Sequence, residues 1–239
     1  MTALQRFDLK GRVILLTGGA GLYGRGLASD LAETGARLII AARSLEKLQA
    51  VEAEARDRGL DVTAMELDQG SEASVIALRD RITTEFGGLD GLVNNAVARP
   101  MKGANGSVAQ WEESMRVNAT GIMLMHRHFG SAMAARGSGS IVNIGSIQGM
   151  IGPSYELYTG TTMGDMPPDY FFHKGGMVNL TRFYAALYGP QSVRVNCLAP
   201  GGFFQRPARA LPQPLCGTHH ARPHGRPHRP RRSRYFSPQ

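Results

Sequence analysis

Cysteine is nearly missing from this chain: Cys197 and Cys216 are the two among 239 residues. Two cysteines give no disulfide framework, which excludes a stapled secreted scaffold and fits a reducing compartment. No apolar run approaches the roughly 18 residues that span a bilayer, so no membrane helix is expected. The N-terminus lacks a basic stretch followed by a long apolar segment and a cleavage site. No secretory signal is therefore expected, and the reading is cytoplasmic with no membrane partner. Acids and lysine are also missing after Gln205. Residues 206–239 hold eight arginines (206, 209, 222, 226, 229, 231, 232 and 234), four of the seven histidines and seven of the thirteen prolines. The formal net charge of +8 belongs to that tail: 27 Lys+Arg less those eight leaves 19, against 19 Asp+Glu in 1–205. The body is a neutral domain, long enough for one sizeable core.

The body alternates short apolar runs with helical patterns. Strands are predicted at 13–17, 37–42, 62–67, 89–94, 140–144 and 193–198. Helices are predicted at about 23–34, from Ser44 to near Gly59, from Ser71 to Phe86, at 108–136 and at 170–187. This order predicts an α/β fold, a doubly wound, Rossmann-like parallel sheet with right-handed crossovers and helices on both faces. The region 148–169 is rich in Gly, Pro, Thr and Met and reads as a loop over the strand ends. Two parts result: 1–205, a Rossmann-like dinucleotide-binding and catalytic domain, and 206–239, a basic Pro/Arg/His-rich tail expected to be disordered.

Three groups of residues carry chemistry. Thr17-Gly18-Gly19-Ala20-Gly21-Leu22-Tyr23-Gly24 joins the first strand to the first helix. Glycines there admit a pyrophosphate to the backbone, and the helix N-terminus supplies donors and a partial positive charge. Gly18, Gly21, Leu22, Tyr23 and Gly24 are thus candidate cofactor-binding residues. The second strand ends in Ala42-Arg43 instead of an acid. Arg43 can pair with a 2′-phosphate, which favours NADP(H) over NAD(H); the weaker alternative is that it only caps the strand end or pairs with Glu46. Asp68, after the third strand, can accept from an adenine amino group or act as a turn residue. Finally, Tyr170 and Lys174 stand four apart on one helix face. An ammonium close to a phenol favours the phenolate, which makes a proton-exchanging pair for carbonyl/alcohol redox chemistry.

Together these residues resemble the short-chain dehydrogenase/reductase family, its single-domain branch, from about Leu9 to Gln205. Thr17-Gly18 to Gly24 resembles the cofactor turn, Asn94-Asn95-Ala96 the family's Asn-Asn-Ala-Gly, and Val117-Asn118 its mid-helix asparagine. Ile144-Gly145-Ser146 resembles the serine segment, Tyr170 to Lys174 the Tyr-x-x-x-Lys motif, and Asn196 to Pro200-Gly201 the segment after the sixth strand. The resemblance implies a catalytic set of Asn118, Ser146, Tyr170 and Lys174. Tyr170 would be the general acid or base, and Ser146 a donor to the substrate oxygen. Asn118 would hold a water leading to Lys174. It also implies that Asn95, Ala96, Tyr170, Lys174, Pro200 and Gly201 contact the cofactor, and that the partner is a small carbonyl or alcohol substrate. A homo-oligomer fits this family.

The chain departs from the pattern in places. Leu22 stands where this branch commonly has glycine, a spacing more like the family's extended branch. Val97 replaces the glycine after Asn-Asn-Ala. Ser146 and Tyr170 are 24 residues apart, about eleven more than the family pattern. That insertion resembles a subgroup associated with bacterial surface-sugar and flagellin-glycan pathways, which implies a polar, sugar-like substrate. Past Gln205 the composition is that of a GC-rich gene read out of frame, so the final edge strand of the family's sheet is expected to be lacking. Two other functions compete: a catalytically impaired dinucleotide-binding relic, and a binder of nucleic acid or anionic surfaces through the basic tail. Nucleic acid is the weaker of these readings. Cys216, His219, His220 and His224 lack a folded scaffold, and no metal site is expected.

Overall fold

A computed structural model describes residues 8–153 and 166–201. Its first strand, β1 (Val13–Thr17), is buried along its whole length. Neighbouring side chains on a strand point to opposite faces. Val13 and Leu15 accordingly join one hydrophobic cluster, Ile14 and Leu16 another. A strand buried on both faces needs helices on both. The helices α1 (Leu22–Glu33) and α2 (Leu45–Asp57) cover one face with Ala28, Ala32, Leu48, Val51 and Ala55. The other face is covered by α3 (Glu72–Phe86), α4 (108–136) and α5 (Pro168–Tyr188), through side chains such as Leu78, Ile82, Met125, Phe129 and Tyr184.

The remaining strands are β2 (Arg37–Ala42), β3 (Val62–Glu66), β4 (Gly91–Asn94), β5 (Gly139–Ile144) and β6 (Val193–Leu198). All pairings are parallel, in the order β3-β2-β1-β4-β5-β6. The chain winds outward from β1 to β3, then crosses back past β1 to β4. Open sheets of this kind bind ligands where that reversal opens a crevice at the strands' carboxyl ends. Here the crevice lies beyond Thr17 and Asn94.

Several details differ from the sequence expectation, each for a local reason. The fourth strand starts at Gly91 because Asp90 acts as a turn acceptor: its carboxylate takes the Val13 N–H at 2.9 Å and pairs with Arg136. Ser44 occupies the N-cap of α2 without a side-chain capping bond, whereas Ser71 does accept from the Ser74 N–H. The last helix begins at Pro168, which suits a first turn because its missing N–H would have no partner there. Two π turns, Arg116–Thr120 and His126–Gly130, interrupt α4. On β6, Val193 and Val195 are buried while Arg194, Asn196 and Leu198 are exposed. The expected lack of a following strand, and the expected disorder of 206–239, lie outside the described residues. No helix among the described residues is long and apolar enough to cross a membrane.

Candidate active site

The crevice begins at the glycine turn. Gly18 has φ +72, the left-handed region, and a Cβ there would lie 2.9 Å from the Ala96 Cα. A Cβ on Gly24 would lie 2.0 Å from the Gly18 carbonyl oxygen. Glycine at both positions lets turn, helix start and the segment after β4 close on one another. Gly21 is the N-cap of α1; among the described residues no side chain caps this end, and no acid stands in the first turn, which holds Leu22 and Tyr23. An anion is therefore the fitting partner for its amides. Thr17 and Asn95 hold the crevice's two lips together. The Thr17 hydroxyl oxygen accepts from the Asn95 and Ala96 N–H groups, both at 3.0 Å. Asn95 Nδ2 donates to the carbonyls of Thr17 at 2.9 Å and Gly18 at 3.3 Å. Asn95 thus shapes the turn with its side chain. The cradle, with its uncapped helix end, fits a dinucleotide pyrophosphate.

At the end of β2, Arg43 is exposed and close enough to Glu113 to help hold that carboxyl below its usual range, behind the larger effect of Arg116. Asp68 is committed to its own surroundings. Its Oδ1 accepts from Gly70 N–H at 3.0 Å and its Oδ2 from Arg116 Nη1 at 3.1 Å. Arg116 also donates to Glu113 at 2.7 and 3.0 Å. The turn-residue reading of Asp68 therefore has direct geometric support.

Lys174 is buried, and its Nζ donates to the carbonyl of Ile144, the last residue of β5. Burial pushes the ammonium down to about 8, with Arg99 adding to the effect and Cys197 opposing it. The same Nζ lies 5.8 Å from the Tyr170 ring centroid. Ser146 follows β5 by two residues and caps the short turn Ile147–Gly149. Its oxygen accepts from Gln148 N–H at 3.1 Å, which leaves the hydroxyl proton to donate elsewhere. Gly149 packs so tightly on α5 that a Cβ would lie 2.5 Å from the Lys174 carbonyl oxygen. Pro200 joins from the other side: its carbonyl accepts from Ile147 N–H at 3.1 Å, and Gly201 next to it is exposed. Asn118 sits in the first π turn. Its side-chain amide grips Ala98 at both N–H and C=O, each at 2.8 Å, and donates to Ser114 at 3.0 Å. Both Nδ2 hydrogens are thereby used, which leaves the backbone carbonyl and the second lone pair of Oδ1 to accept from a water.

Contacts thus link the expected catalytic residues: Asn118 holds Ala98, the next residue Arg99 covers the Tyr170 ring at 4.9 Å, and Lys174 ties Tyr170's helix to the strand before Ser146. Sequence reasoning missed Arg99. It also missed a buried network in which Asn143 Oδ1 accepts from Asn94 Nδ2 at 2.8 Å and from His126 Nε2 at 3.1 Å. Asn143 Nδ2 then donates to Thr181 at 2.9 Å. Burial pushes His126 down to about 4, so it is neutral and holds its proton on Nε2. His173, one residue before Lys174, is buried, and among the described residues neither ring nitrogen has a hydrogen-bond partner. Burial, then Lys174 and Arg99, push it down to about 3. Among the described residues no group of three or more His, Cys, Asp or Glu side chains could hold a metal.

This fold and site define a dinucleotide-dependent redox domain, and comparison with known proteins specifies the family. The short chain dehydrogenase family model matches residues 12–210. The chain belongs to the short-chain dehydrogenases, a family of oxidoreductases. It is 36% identical over 222 residues to cis-4-hydroxycyclohexanecarboxylate dehydrogenase of Sinomonas cyclohexanicum, covering 92% of this chain and 84% of that one. It is 37% identical over 199 residues to 2,5-dichloro-2,5-cyclohexadiene-1,4-diol dehydrogenase of Sphingobium indicum, covering 81% and 73%. Among solved structures, a gluconate 5-dehydrogenase from Burkholderia cenocepacia, in complex with NADP and tartrate, superposes with a TM-score of 0.74 at 33% identity. That match covers 85% of this chain and 76% of the other.

Proposed function

We propose that this chain interconverts a secondary alcohol and a ketone on a small polar molecule, using NADP(H) in preference to NAD(H). The observation that carries the proposal is the bridge from Lys174 to Ile144 beside Tyr170, on the same carboxyl edge of the parallel sheet as the glycine turn. The turn at Gly18, Gly21 and Gly24 and the start of α1 would hold the pyrophosphate, Arg43 a 2′-phosphate, and Lys174 the nicotinamide ribose. When bound, the nicotinamide supplies or accepts the hydride. In the reducing direction Tyr170 gives its proton to the substrate oxygen, and Ser146 donates a hydrogen bond to that oxygen as charge develops on it. In the oxidising direction Tyr170 takes the alcohol proton. Lys174 favours the phenolate stage of either cycle, and water on the Asn118 carbonyl would return the proton to Lys174.

The relatives support this reading. Three similar proteins are dehydrogenases of a hydroxycyclohexanecarboxylate, a cyclic diol and gluconate, all oxygenated small molecules. The test is direct. Full-length protein is mixed with NADP⁺ or NAD⁺ and a panel of cyclic and open-chain secondary alcohols, and reduced cofactor is followed by its absorbance. Turnover supports the proposal. Cofactor binding by fluorescence with no turnover on any alcohol, or on the matching ketones with NADPH, selects the relic instead.

A further inference from the structure

Arg99 has no task in hydride or proton transfer, yet the structure places it with care. Asn118 grips Ala98 at both backbone groups, so the residue that follows is delivered to one position. The Arg99 guanidinium carbon lies 4.9 Å from the Tyr170 ring centroid, over the ring. A cation on an aromatic face is held by the ring's quadrupole. Among the described residues no group accepts a hydrogen bond from the guanidinium N–H groups, which leaves them for planar, two-point hydrogen bonding. Arg99 is exposed, and among the described residues no carboxylate forms an ion pair with it. Lys102 adds a second cation to the same segment, its Nζ on the Arg99 carbonyl at 3.0 Å. A fixed positive fork therefore stands beside the residue whose hydroxyl must meet the substrate.

We infer that Arg99 binds a carboxylate of the substrate, so that small hydroxy acids and oxo acids are preferred over neutral alcohols and ketones. The inference rests on the alcohol/ketone reading above and deepens it by naming the substrate's second functional group. A planar carboxylate matches a guanidinium edge in two parallel hydrogen bonds. With the carboxylate on Arg99 and the alcohol or ketone oxygen at Tyr170, the substrate is held at two points and its reacting carbon is oriented. A different role for Arg99, acting only on Tyr170 as a charge that favours the phenolate, makes a different prediction. It would change turnover of charged and neutral substrates alike.

The experiment compares cis-4-hydroxycyclohexanecarboxylate with its methyl ester as substrates of the full-length chain. The native protein is expected to favour the acid in kcat/KM by roughly tenfold or more, the range of a charge-assisted pair. Arg99→Gln should bring the acid-to-ester ratio close to one, and Arg99→Lys should keep part of it. An unchanged ratio in Arg99→Gln, or a native preference for the ester, overturns the inference. A second arm needs no turnover: cyclohexanecarboxylate and cyclohexanecarboxamide are titrated into native and Arg99→Gln protein by calorimetry. Tighter carboxylate binding that disappears in the variant supports the site; equal binding of the two by the native protein overturns it. If neither alcohol is oxidised, the alcohol/ketone reading fails on this pair, while the titration still decides whether Arg99 is a carboxylate site.

Discussion

Lys174 and Ile144 are joined by a hydrogen bond from a buried ammonium to the last carbonyl of β5. The bond fixes α5 against the strand that leads to Ser146, so one side chain serves both the packing and the site. Lys174→Met should leave the Ile144 carbonyl unpaired, at a cost of about 1–3 kcal/mol. The pH dependence has a definite sign. The folded-state value of about 8 lies below the ~10.4 of an unfolded lysine, so the folded state binds fewer protons between them. The cost of charging Lys174 is full below about 8 and relieved as pH rises to ~10.4. Urea denaturation across that window should show stability rising with pH from this residue, and the rise should be smaller in Lys174→Met.

Tyr170→Phe removes the proposed proton donor without touching the glycine cradle. Turnover is expected to fall by roughly 10²–10⁴-fold. Cofactor affinity, read by fluorescence titration, should stay nearly unchanged. Full activity in the variant would reassign the acid.

Arg43 is exposed at the end of β2 with no ion-pair partner among the described residues. NADPH should therefore bind more tightly than NADH, by roughly 10- to 150-fold for a charge-assisted contact. Arg43→Ala should erase most of that difference. Equal affinities for the two cofactors in the native protein would remove the basis for an NADP(H) preference.

His126 makes acid sensitivity measurable. Its folded value of about 4 is below the ~6.5 of an unfolded histidine, so the unfolded chain takes up the proton first as pH falls. Stability should drop between about 6.5 and 4, by up to ~3 kcal/mol from this group. His126→Gln keeps a donor for Asn143 and cannot titrate there, so its acid limb should be shallower by about that amount. His173, buried and also depressed, will keep part of the slope in the variant. An identical acid limb in both proteins would show that His126 titrates normally.

The six strands and five helices of the described residues were legible because period and length mark them. Buried runs such as 13–17 and 37–42 and the patterned helix at 72–86 announce themselves in one dimension. Tyr170 and Lys174 were legible for a related reason: a four-residue spacing on a helix is already a geometry. Asn118 was found as a position, but its hold on Ala98 joins residues 20 apart in sequence. Arg99 and His126 were not legible as site residues. Arg99 reads as an ordinary loop arginine until α5 brings Tyr170 beneath it, and His126 acquires its partner only when β5 places Asn143 behind it. The two π turns carry no proline to mark them.

Those π turns have a consequence for the phase of α4. Each π turn holds one residue more than the regular α spiral needs, and its upstream and downstream faces are set relative to each other by that extra residue. Upstream, α4 presents Asn118 to Ala98; downstream, it presents Phe129 and Met133 to the core. If the segment 126–130 became a plain α-helix with all its residues kept, the extra residue would have to enter the regular spiral. Everything on one side of it would then rotate by about 100° relative to the other. The chain would have to give up either the grip on Ala98 or the seating of Phe129, so the geometry of the catalytic crevice and the packing of the core are keyed to the same residue count.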